Sequence, residues 1–232
     1  MSNLLFDAPF YLAINEARWT VLQRLLAIAK AEIAPIKSVI DLGAGPGWFA
    51  GRLADAGYDV LGLEGRPELV EVARQRAPGA RFEVFDFDAA PLRVSHTADA
   101  VACFGLLYHL ENPVRALRMC RAMTAGPLFL ETMTLPEKGP VARLMPENAN
   151  ETQGMRALAL LLSPDAVVHA LHAAGFARVY RIDGASIGHE DFVDMPERGK
   201  RRDMFVACDA ALDAPGLAAC APAPLRRYDF KT

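Results

Sequence analysis

The sequence predicts an α/β protein with a mostly parallel, seven-stranded sheet that has helices on both faces. Three observations carry this prediction. Short apolar segments alternate with amphipathic segments from residue 38 to residue 208, a pattern typical of parallel strands joined by helices. A turn that holds Gly43, Gly45 and Gly47 follows the first apolar segment. A carboxylate, Glu64, follows the second apolar segment, about twenty residues after the first of these glycines.

The elements can be placed along the chain from periodicity and from the residues that begin or end a helix. The first is a helix over about 9–33, where apolar residues such as Leu22 and Leu26 recur at helical spacing. Proline suits the first turn of a helix and glycine suits the position after the last turn. Further helices are therefore expected at 47–56, 67–76, 112–124 and 163–175. Strands are expected at 38–42, 59–63, 81–85, 99–104, 127–133, 177–182 and near 203–208.

These elements predict three parts of the chain. Residues 1–34 form an N-terminal helical cap, residues 35–209 form the main domain, and residues 210–232 form a loosely ordered tail rich in Ala and Pro. The alternation stops at 134–162, a length that is typical of a lid insertion rather than of a short connection. The second half of this lid, 155–162, is interpreted as a short apolar helix.

Composition narrows the classes of function. A formal charge of −3 over 232 residues gives no broad positive field, so nucleic acid is not expected as a partner. Four cysteines without CxxC spacing indicate reduced thiols, and no signal peptide or apolar run of membrane-spanning length is found. The expected location is cytoplasmic. No metal site is expected, because His169 and His172 lack a third ligand, and Lys200-Arg201-Arg202 is interpreted as a solvated turn.

The residues around the glycine turn separate two classes of nucleotide ligand. In a dinucleotide-binding turn (Gly-x-Gly-x-x-Gly) the third glycine lies three residues after the second. In this chain that position, three residues after Gly45, is Trp48. Asp41, two residues before Gly43, would repel a pyrophosphate but suits a cationic ligand. The run Asp41-Leu42-Gly43-Ala44-Gly45-Pro46-Gly47 with Glu64 resembles motif I and its acidic partner in class I S-adenosylmethionine-dependent methyltransferases. This resemblance predicts a Rossmann-like fold and S-adenosylmethionine as the cofactor.

The resemblance also implies where the cofactor lies. Its amino-acid part is expected beside a first group of residues at the first strand end: Asp41, Gly43, Ala44, Gly45, Gly47 and Trp48. Glu64 is expected to hold the ribose with Gly65 and Arg66 beside it, and Asp86 with Phe87 to hold the adenine, Asp88 being the alternative acid. Phe104 at the fourth strand end, Tyr108 beside the methionine part, and Arg18 on the first helix, toward the methionyl carboxylate, complete the expected cofactor site.

A second run, Leu107-Tyr108-His109-Leu110-Glu111-Asn112-Pro113, is similar to one in a branch that includes the bacterial transfer-RNA wobble-uridine carboxymethyltransferase. There, the tyrosine and arginine that match Tyr108 and Arg202 help to hold the extra carboxylate of a carboxylated cofactor. This similarity leaves transfer of a carboxymethyl or methyl group to RNA as an alternative function.

Methyl transfer itself needs mainly positioning, and a base only when the acceptor arrives protonated. His109 is the candidate base by position, with a structural role under the lid as the other interpretation. Tyr108, Glu131, Asn148 and Arg202 are the candidate acceptor-binding residues. Two other interpretations are equally possible: Glu131 is a buried structural carboxylate, and Asn148 belongs to a loop that is polar only because it is exposed to water.

The sequence thus predicts an enzyme that transfers a methyl group to O or N of a small-molecule acceptor. Besides transfer to RNA, two alternatives stay open: a nicotinamide oxidoreductase, and a non-catalytic module that binds S-adenosylmethionine. The sequence gives no indication of the oligomeric state.

Overall fold

A computed structural model describes residues 4–92, 94–193 and 199–222. Its helices are α1 (Pro9–Glu32), α2 (Trp48–Asp55), α3 (Pro67–Arg76), α4 (Pro113–Met123) and α5 (Pro164–Ala174). Its strands are β1 (Ser38–Leu42), β2 (Asp59–Glu64), β3 (Arg81–Val84), β4 (Ala100–Phe104), β5 (Leu128–Thr134), β6 (Ala142–Pro146), β7 (Leu158–Leu162), β8 (Arg178–Ile182), β9 (Arg201–Cys208) and β10 (Leu217–Cys220).

Local sequence explains where the helices begin. Proline occupies the first turn of α1, α3, α4 and α5, where its missing N–H has no helical partner to lose. The Asn112 side chain accepts a hydrogen bond from the Arg115 N–H at 3.0 Å, and Ser163 accepts one from the Ala166 N–H at 3.2 Å. These caps satisfy N–H groups that the first turn of each helix leaves free.

The strands form one sheet in the order β10-β8-β9-β5-β4-β1-β2-β3. The neighbours from β3 to β5 run parallel, whereas β9 runs antiparallel to both β5 and β8. The chain moves outward from β1 through β2 to β3 and then returns to β4 on the other side of β1. Strand order therefore reverses between β1 and β4, and a crevice opens there beyond the carboxyl ends of the strands.

Two apolar layers cover the faces of this sheet. On one face, residues of α1 and α2 such as Leu22 and Leu53 join Val39 and Val206 in a buried cluster. On the other face, Leu117 of α4 and Leu171 of α5 pack with residues of the central strands. The mostly parallel sheet with helices on both faces and an N-terminal helix is thus confirmed.

The segment 155–162 is not a helix, and this prediction was wrong. Residues 158–162 form β7, which pairs antiparallel with β6 and meets β5 at Thr134. A short run of leucines does not distinguish a strand from a helix by periodicity, so the pairing with β6 decides its conformation. We call β6, β7 and the loop between them (147–157) the lid hairpin, and that loop the lid loop.

The strand count and the tail also differ from expectation. Seven strands form the expected sheet, and the lid hairpin and β10 add three more. β10 lies in the segment expected to be loosely ordered, where it pairs with β8 and its Cys220 carbonyl lies 3.2 Å from Nε2 of His172. Residues 223–232 of the predicted tail lie outside the described residues.

The interpretation of residues 200–202 as a solvated turn was wrong from Arg201 onward, because β9 begins there and pairs with β5. The Arg202 side chain is largely buried, at 12% exposure. Separately, no helix in the described part of the chain has the length and apolar character needed to cross a membrane.

Candidate functional site

The glycine turn after β1 forms the floor of the site because two of its glycines have no room for a side chain. Gly47 has φ +87°, and a Cβ there would lie 3.0 Å from the Cβ of Ala73 on α3. Gly43 has φ +69°, and its Cβ would lie 3.0 Å from the Cβ of Leu106. Both the left-handed backbone and the close neighbours favour glycine. The turn therefore carries only the small side chains of Ala44 and Pro46 between its glycines and leaves most of its backbone accessible to a ligand.

Glu64 at the end of β2 is tied to this turn by its carboxylate. Oε2 accepts a hydrogen bond from the Gly45 N–H at 2.9 Å, and Oε1 accepts one from the Arg66 N–H at 3.0 Å. The Glu64 residue is buried at 6% exposure. Because each carboxylate oxygen has two acceptor sites, one site on each oxygen remains for a ligand.

These residues lie on one cavity of about 340 Å³, a size typical of small-molecule sites. Its walls come from the strand ends, from the N-terminal segment and α1, and from the lid loop. The predicted residues that line it are Gly43, Ala44, Gly45, Gly47, Trp48, Glu64, Gly65, Arg66, Phe87, Phe104, Tyr108, His109, Arg18 and Arg202. Lining residues that the sequence did not indicate include Phe6, Tyr11, Asn15, Phe85, Thr152 and Met155.

Asp41 does not line the cavity. Its side chain is buried beneath the glycine turn at 2% exposure, and its Oδ2 has no hydrogen-bond partner among the described residues. Burial raises the pKa of Asp41 to about 7, although a hydrogen bond from the Ala50 backbone opposes this and Glu64 adds to it. Asp41 therefore does not contact a ligand in this cavity directly, and any effect it has on a ligand is through the glycine turn that follows it.

The acid that reaches the cavity after β3 is Asp88, the alternative to Asp86. Asp86 turns away, because its Oδ1 accepts the Asp88 N–H at 3.0 Å and its Oδ2 lies 2.7 Å from the Arg156 guanidinium. Asp88 lines the cavity together with Phe85 and Phe87. Burial raises the pKa of Asp88, against a hydrogen bond from the Glu111 N–H. Two rings and one carboxyl group therefore stand where an adenine was expected.

A buried cluster of two arginines around one glutamate borders the cavity. Glu131 on β5 is fully buried and does not line the cavity; its two oxygens lie 2.9 Å from Arg18 and 2.9 Å from Arg202. Arg18 also donates to Asn15 at 2.9 Å, and Arg202 donates to the Tyr108 hydroxyl at 3.4 Å. Glu131 fits the structural interpretation of its role, since it pairs two arginines that themselves reach the cavity.

The charges of this cluster are set by burial and by each other. Burial would raise the pKa of Glu131, but Arg18 and Arg202 outweigh it and hold that pKa below its ordinary value. Burial lowers the pKa of Arg18, which Glu131 opposes and Arg202 reinforces. Burial raises the pKa of Tyr108, which therefore stays a neutral phenol. Glu131 pairs with both guanidinium groups, and Asp191 lies 3.7 Å from Arg202 as well, so the charges of this cluster are balanced.

His109 follows β4 in a short 3-10 turn (Leu107–His109) and lines the cavity. Its Nδ1 lies 2.7 Å from Oε1 of Glu147, and both side chains are buried. The ring centroid of His109 lies 3.9 Å from that of Tyr108. Glu147 was not singled out from the sequence, because a contact between two distant segments leaves no local pattern.

The lid loop reaches the cavity through residues other than Asn148. Asn148 is exposed and does not line the cavity, whereas Thr152, Gln153, Gly154 and Met155 do. The Arg66 guanidinium donates to the Gln153 carbonyl, which fastens the loop beside Glu64. Ala159 and Leu161 of the lid hairpin pack with Leu135 and Tyr108.

The described residues provide no set of side chains arranged as metal ligands. Across the described ranges, no group of three or more His, Cys, Asp or Glu side chains is arranged to hold a metal ion. The cysteines in these ranges are free thiols, and Cys103, Cys120 and Cys208 are buried.

Comparison with known proteins agrees with this geometry. Residues 40–126 match a family described as a methyltransferase domain. A ubiquinone biosynthesis O-methyltransferase of Haemophilus ducreyi is 33% identical over 107 residues, which are 42% of this chain and 45% of that relative. The chain therefore matches less than half the length of this curated relative.

Solved structures extend the likeness over most of the chain. The N-terminal domain of EvdMO1, crystallised with S-adenosylhomocysteine and D-fucose, has a TM-score of 0.66 at 21% identity, covering 84% of this chain and 82% of that one. CalS10 of Micromonospora echinaspora, an amino pentose methyltransferase bound to S-adenosylmethionine, has a TM-score of 0.60 at 22% identity, covering 89% and 98%. At these identities the likeness shows the fold.

Proposed function

We propose that this chain, whose residues 40–126 match a methyltransferase domain family and whose fold resembles that of a solved methyltransferase, transfers a methyl group from S-adenosylmethionine to O or N of a small-molecule acceptor. One observation carries the proposal. The glycine turn, the Glu64 carboxylate bonded to it and the His109 imidazole all border a single cavity.

The residues present fit the proposed cofactor. The free acceptor sites of Glu64 suit the two hydroxyl groups of a ribose, and the backbone at Gly43 and Gly45 leaves space for the amino-acid part. Phe85 and Phe87 offer apolar ring surface and Asp88 an acceptor for an exocyclic amine. Arg18 offers a cation for a carboxylate. When bound, this cofactor supplies an electrophilic methyl group.

The residues of the chain then act mainly by positioning. Holding the acceptor in line with the reacting carbon accounts for much of the acceleration in such reactions. His109 lies on the same cavity and takes the proton of an acceptor O–H or N–H as the new bond forms. Tyr108 and Arg202, which meet at 3.4 Å on the cavity wall, orient polar groups of the acceptor.

The segments that enclose the cavity limit the size of the acceptor that can enter it. The N-terminal segment closes one side, because Asp7 makes two hydrogen bonds to Arg76 at 2.7 and 2.8 Å. The lid loop closes another through Arg66 and Arg156. A small molecule suits such an enclosed space better than a folded RNA does. The activities of these relatives, an O-methyltransferase and an amino pentose methyltransferase, support a small acceptor.

Binding and turnover test this function in two steps. Isothermal titration calorimetry should show binding of S-adenosylmethionine and S-adenosylhomocysteine and no comparable binding of NAD. With a panel of hydroxylated and amino small molecules, the enzyme should then release S-adenosylhomocysteine. Tight NAD binding without S-adenosylmethionine binding would favour an oxidoreductase instead. Tight cofactor binding without turnover on any acceptor would favour a non-catalytic module.

Transfer of a carboxymethyl group is a second candidate, favoured by two arginines on the cavity wall. Arg18 and Arg202 both line the cavity, and Arg202 donates to the Tyr108 hydroxyl, so guanidinium groups are at hand for an additional carboxylate on the cofactor. Mass spectrometry of small molecules released from the purified protein by heat distinguishes the candidates. Recovery of a carboxylated cofactor supports carboxymethyl transfer, and recovery of the unmodified cofactor supports methyl transfer. The free cysteines suit a cytoplasmic location for either activity.

A further inference from the structure

Glu147 is an acidic residue of the lid loop whose side chain is almost completely buried. Its side chain is 5% exposed, although its neighbours Pro146 and Asn148 are exposed. Burying a carboxylate is costly unless charged or hydrogen-bonding partners compensate. The contacts of Glu147 therefore indicate what this segment of the lid loop is built around.

Both oxygens of the Glu147 carboxylate have a partner. Oε1 lies 2.7 Å from Nδ1 of His109. Oε2 accepts a hydrogen bond from the Gly154 N–H at 2.9 Å. The Glu147 N–H in turn donates to the Ala157 carbonyl at 3.1 Å. The lid loop is thus folded back on itself with its carboxylate directed at the imidazole.

Gly154 lets the loop backbone approach His109 closely. A Cβ at position 154 would lie 2.8 Å from Oε2 of Glu147, 3.0 Å from the His109 Cβ and 3.1 Å from the His109 carbonyl oxygen. The Glu147 carboxylate would have to move away, and the two distances to His109 are tighter than most Cβ contacts, so His109 or the loop would have to shift as well. Gly154 and His109 both line the cavity, so this contact lies on its wall.

The contact assigns the two nitrogens of His109 different roles. The 2.7 Å contact is an ion-pair distance and is not aligned as a hydrogen bond in this structure. An unprotonated Nδ1 would still set its lone pair against a carboxylate, so we expect the proton of the neutral ring on Nδ1. Nε2 is then the nitrogen that can accept a proton. Among the described residues, no hydrogen bond engages Nε2. A carboxylate behind an imidazole fixes both its tautomer and its orientation in known histidine bases.

We propose that Glu147 is the positioning residue of His109, so that the lid loop completes the catalytic base when it lies against the imidazole. This inference rests on the proposed methyl transfer. In that step the acceptor O–H or N–H bond breaks and its proton moves to Nε2. The electron pair of the acceptor forms the bond to the methyl carbon, and the pair of the broken carbon–sulfur bond stays on sulfur. Glu147 faces the charge that the ring then carries.

The kinetic test replaces Glu147 by glutamine, which keeps the shape and an acceptor for the Gly154 N–H but removes the charge. With an acceptor identified by S-adenosylhomocysteine release, E147Q should lower kcat by about tenfold or more, with the acceptor KM and the S-adenosylhomocysteine Kd changed less than twofold. The control E137Q changes an exposed carboxylate of the same segment that pairs with Arg143, and should leave kcat unchanged. A wild-type kcat in E147Q would overturn the proposal.

A spectroscopic test needs no acceptor. Nitrogen-15 NMR of histidine-labelled protein at alkaline pH should show His109 with its proton on Nδ1, with the signals assigned by their loss in H109Q. In E147Q the tautomer should shift toward Nε2–H, while the signals of His172 stay in place. A wild-type His109 with its proton on Nε2, or no change in E147Q, would contradict the role of Glu147.

A second variant, which changes the loop and leaves Glu147 itself in place, tests whether the effect of E147Q comes from the contact with His109 or from the glutamine side chain alone. G154A keeps the carboxylate but pushes the lid loop away from His109, so it should reproduce the kcat loss and the tautomer shift. Wild-type behaviour of G154A would count against the proposal. If the wild-type protein fails to bind S-adenosylhomocysteine, the proposed function fails, whereas the NMR result still decides whether Glu147 fixes the imidazole.

Discussion

The backbone N–H of Gly45 and the carboxylate of Glu64 are joined by a 2.9 Å hydrogen bond between the ends of β1 and β2. The bond fixes Glu64 against the glycine turn while one acceptor site on each of its oxygens remains free. Its position beside the cavity makes Glu64 the side chain on which cofactor affinity should depend most directly.

Replacing Glu64 by alanine should weaken binding of S-adenosylhomocysteine by about 1–3 kcal/mol, the range for losing hydrogen bonds to a charged group. Isothermal titration calorimetry measures this loss. Glu68 on α3 is exposed, so E68A is the matched control and should bind as the wild type does. Equal affinities of a folded E64A and the wild type would remove Glu64 from the site.

Two glycines with nearly the same backbone conformation allow the cost of a left-handed backbone to be measured separately from the cost of steric crowding at an added Cβ. Gly47 has φ +87° and Gly57 has φ +89°, but only at Gly47 would a Cβ meet neighbours within 4 Å. Alanine at either position costs about 1 kcal/mol for the left-handed conformation, and at Gly47 crowding adds about 1–3 kcal/mol. Urea unfolding should therefore show G47A as the less stable variant. Equal stabilities would mean that α3 yields to the added methyl group.

Removing the charge of Glu131 should destabilise the protein strongly. E131Q removes the carboxylate that pairs with both buried arginines, although Arg202 keeps Asp191 at 3.7 Å, and breaking such a buried ion pair costs about 3–5 kcal/mol. Because the native pKa of Glu131 is lowered, the stability it contributes is present above its unfolded pKa and is lost as the pH falls through the native value. Chemical unfolding at neutral pH checks the prediction, with E137Q as the exposed control. A loss below 1 kcal/mol in E131Q would show that the arginines find other partners.

Asp41 should give the protein the opposite pH dependence. Its native pKa of about 7 exceeds the ordinary 3.8, so folding takes up a proton between these values and its contribution to stability is lost as the pH rises. D41N should abolish this loss and become more stable than the wild type at pH 8, by up to about 4 kcal/mol. Urea unfolding at several pH values measures the difference. A difference in unfolding free energy between D41N and the wild type that stays constant from pH 5 to pH 8 would contradict the raised pKa of Asp41.

Much of the fold and of the cavity lining is readable in the sequence because both depend on local pattern. The alternation of apolar and amphipathic segments predicts the sheet, and the glycines predict a tight turn with little side-chain bulk at the end of β1. Glu64 reaches that turn because parallel strands end at the same edge of a sheet.

The failures of prediction share one physical cause, which is contact between distant segments. β7 is a strand because β6 pairs with it, and no feature of residues 158–162 alone distinguishes this from a buried helix. Arg202 is buried because its side chain pairs with Glu131 on the neighbouring strand. Asp86 rather than Asp88 turns from the cavity because Arg156, on the lid loop, is its partner.

Crystals of the protein grown with S-adenosylhomocysteine provide the most direct test of the central claim. The nucleoside should occupy the cavity with its ribose hydroxyls within hydrogen-bond distance of Glu64, its adenine beside Phe85 and Phe87, and its carboxylate toward Arg18. A nucleoside bound at any other place, or a cavity that stays empty at saturating concentration, would contradict the assignment of this cavity as the cofactor site.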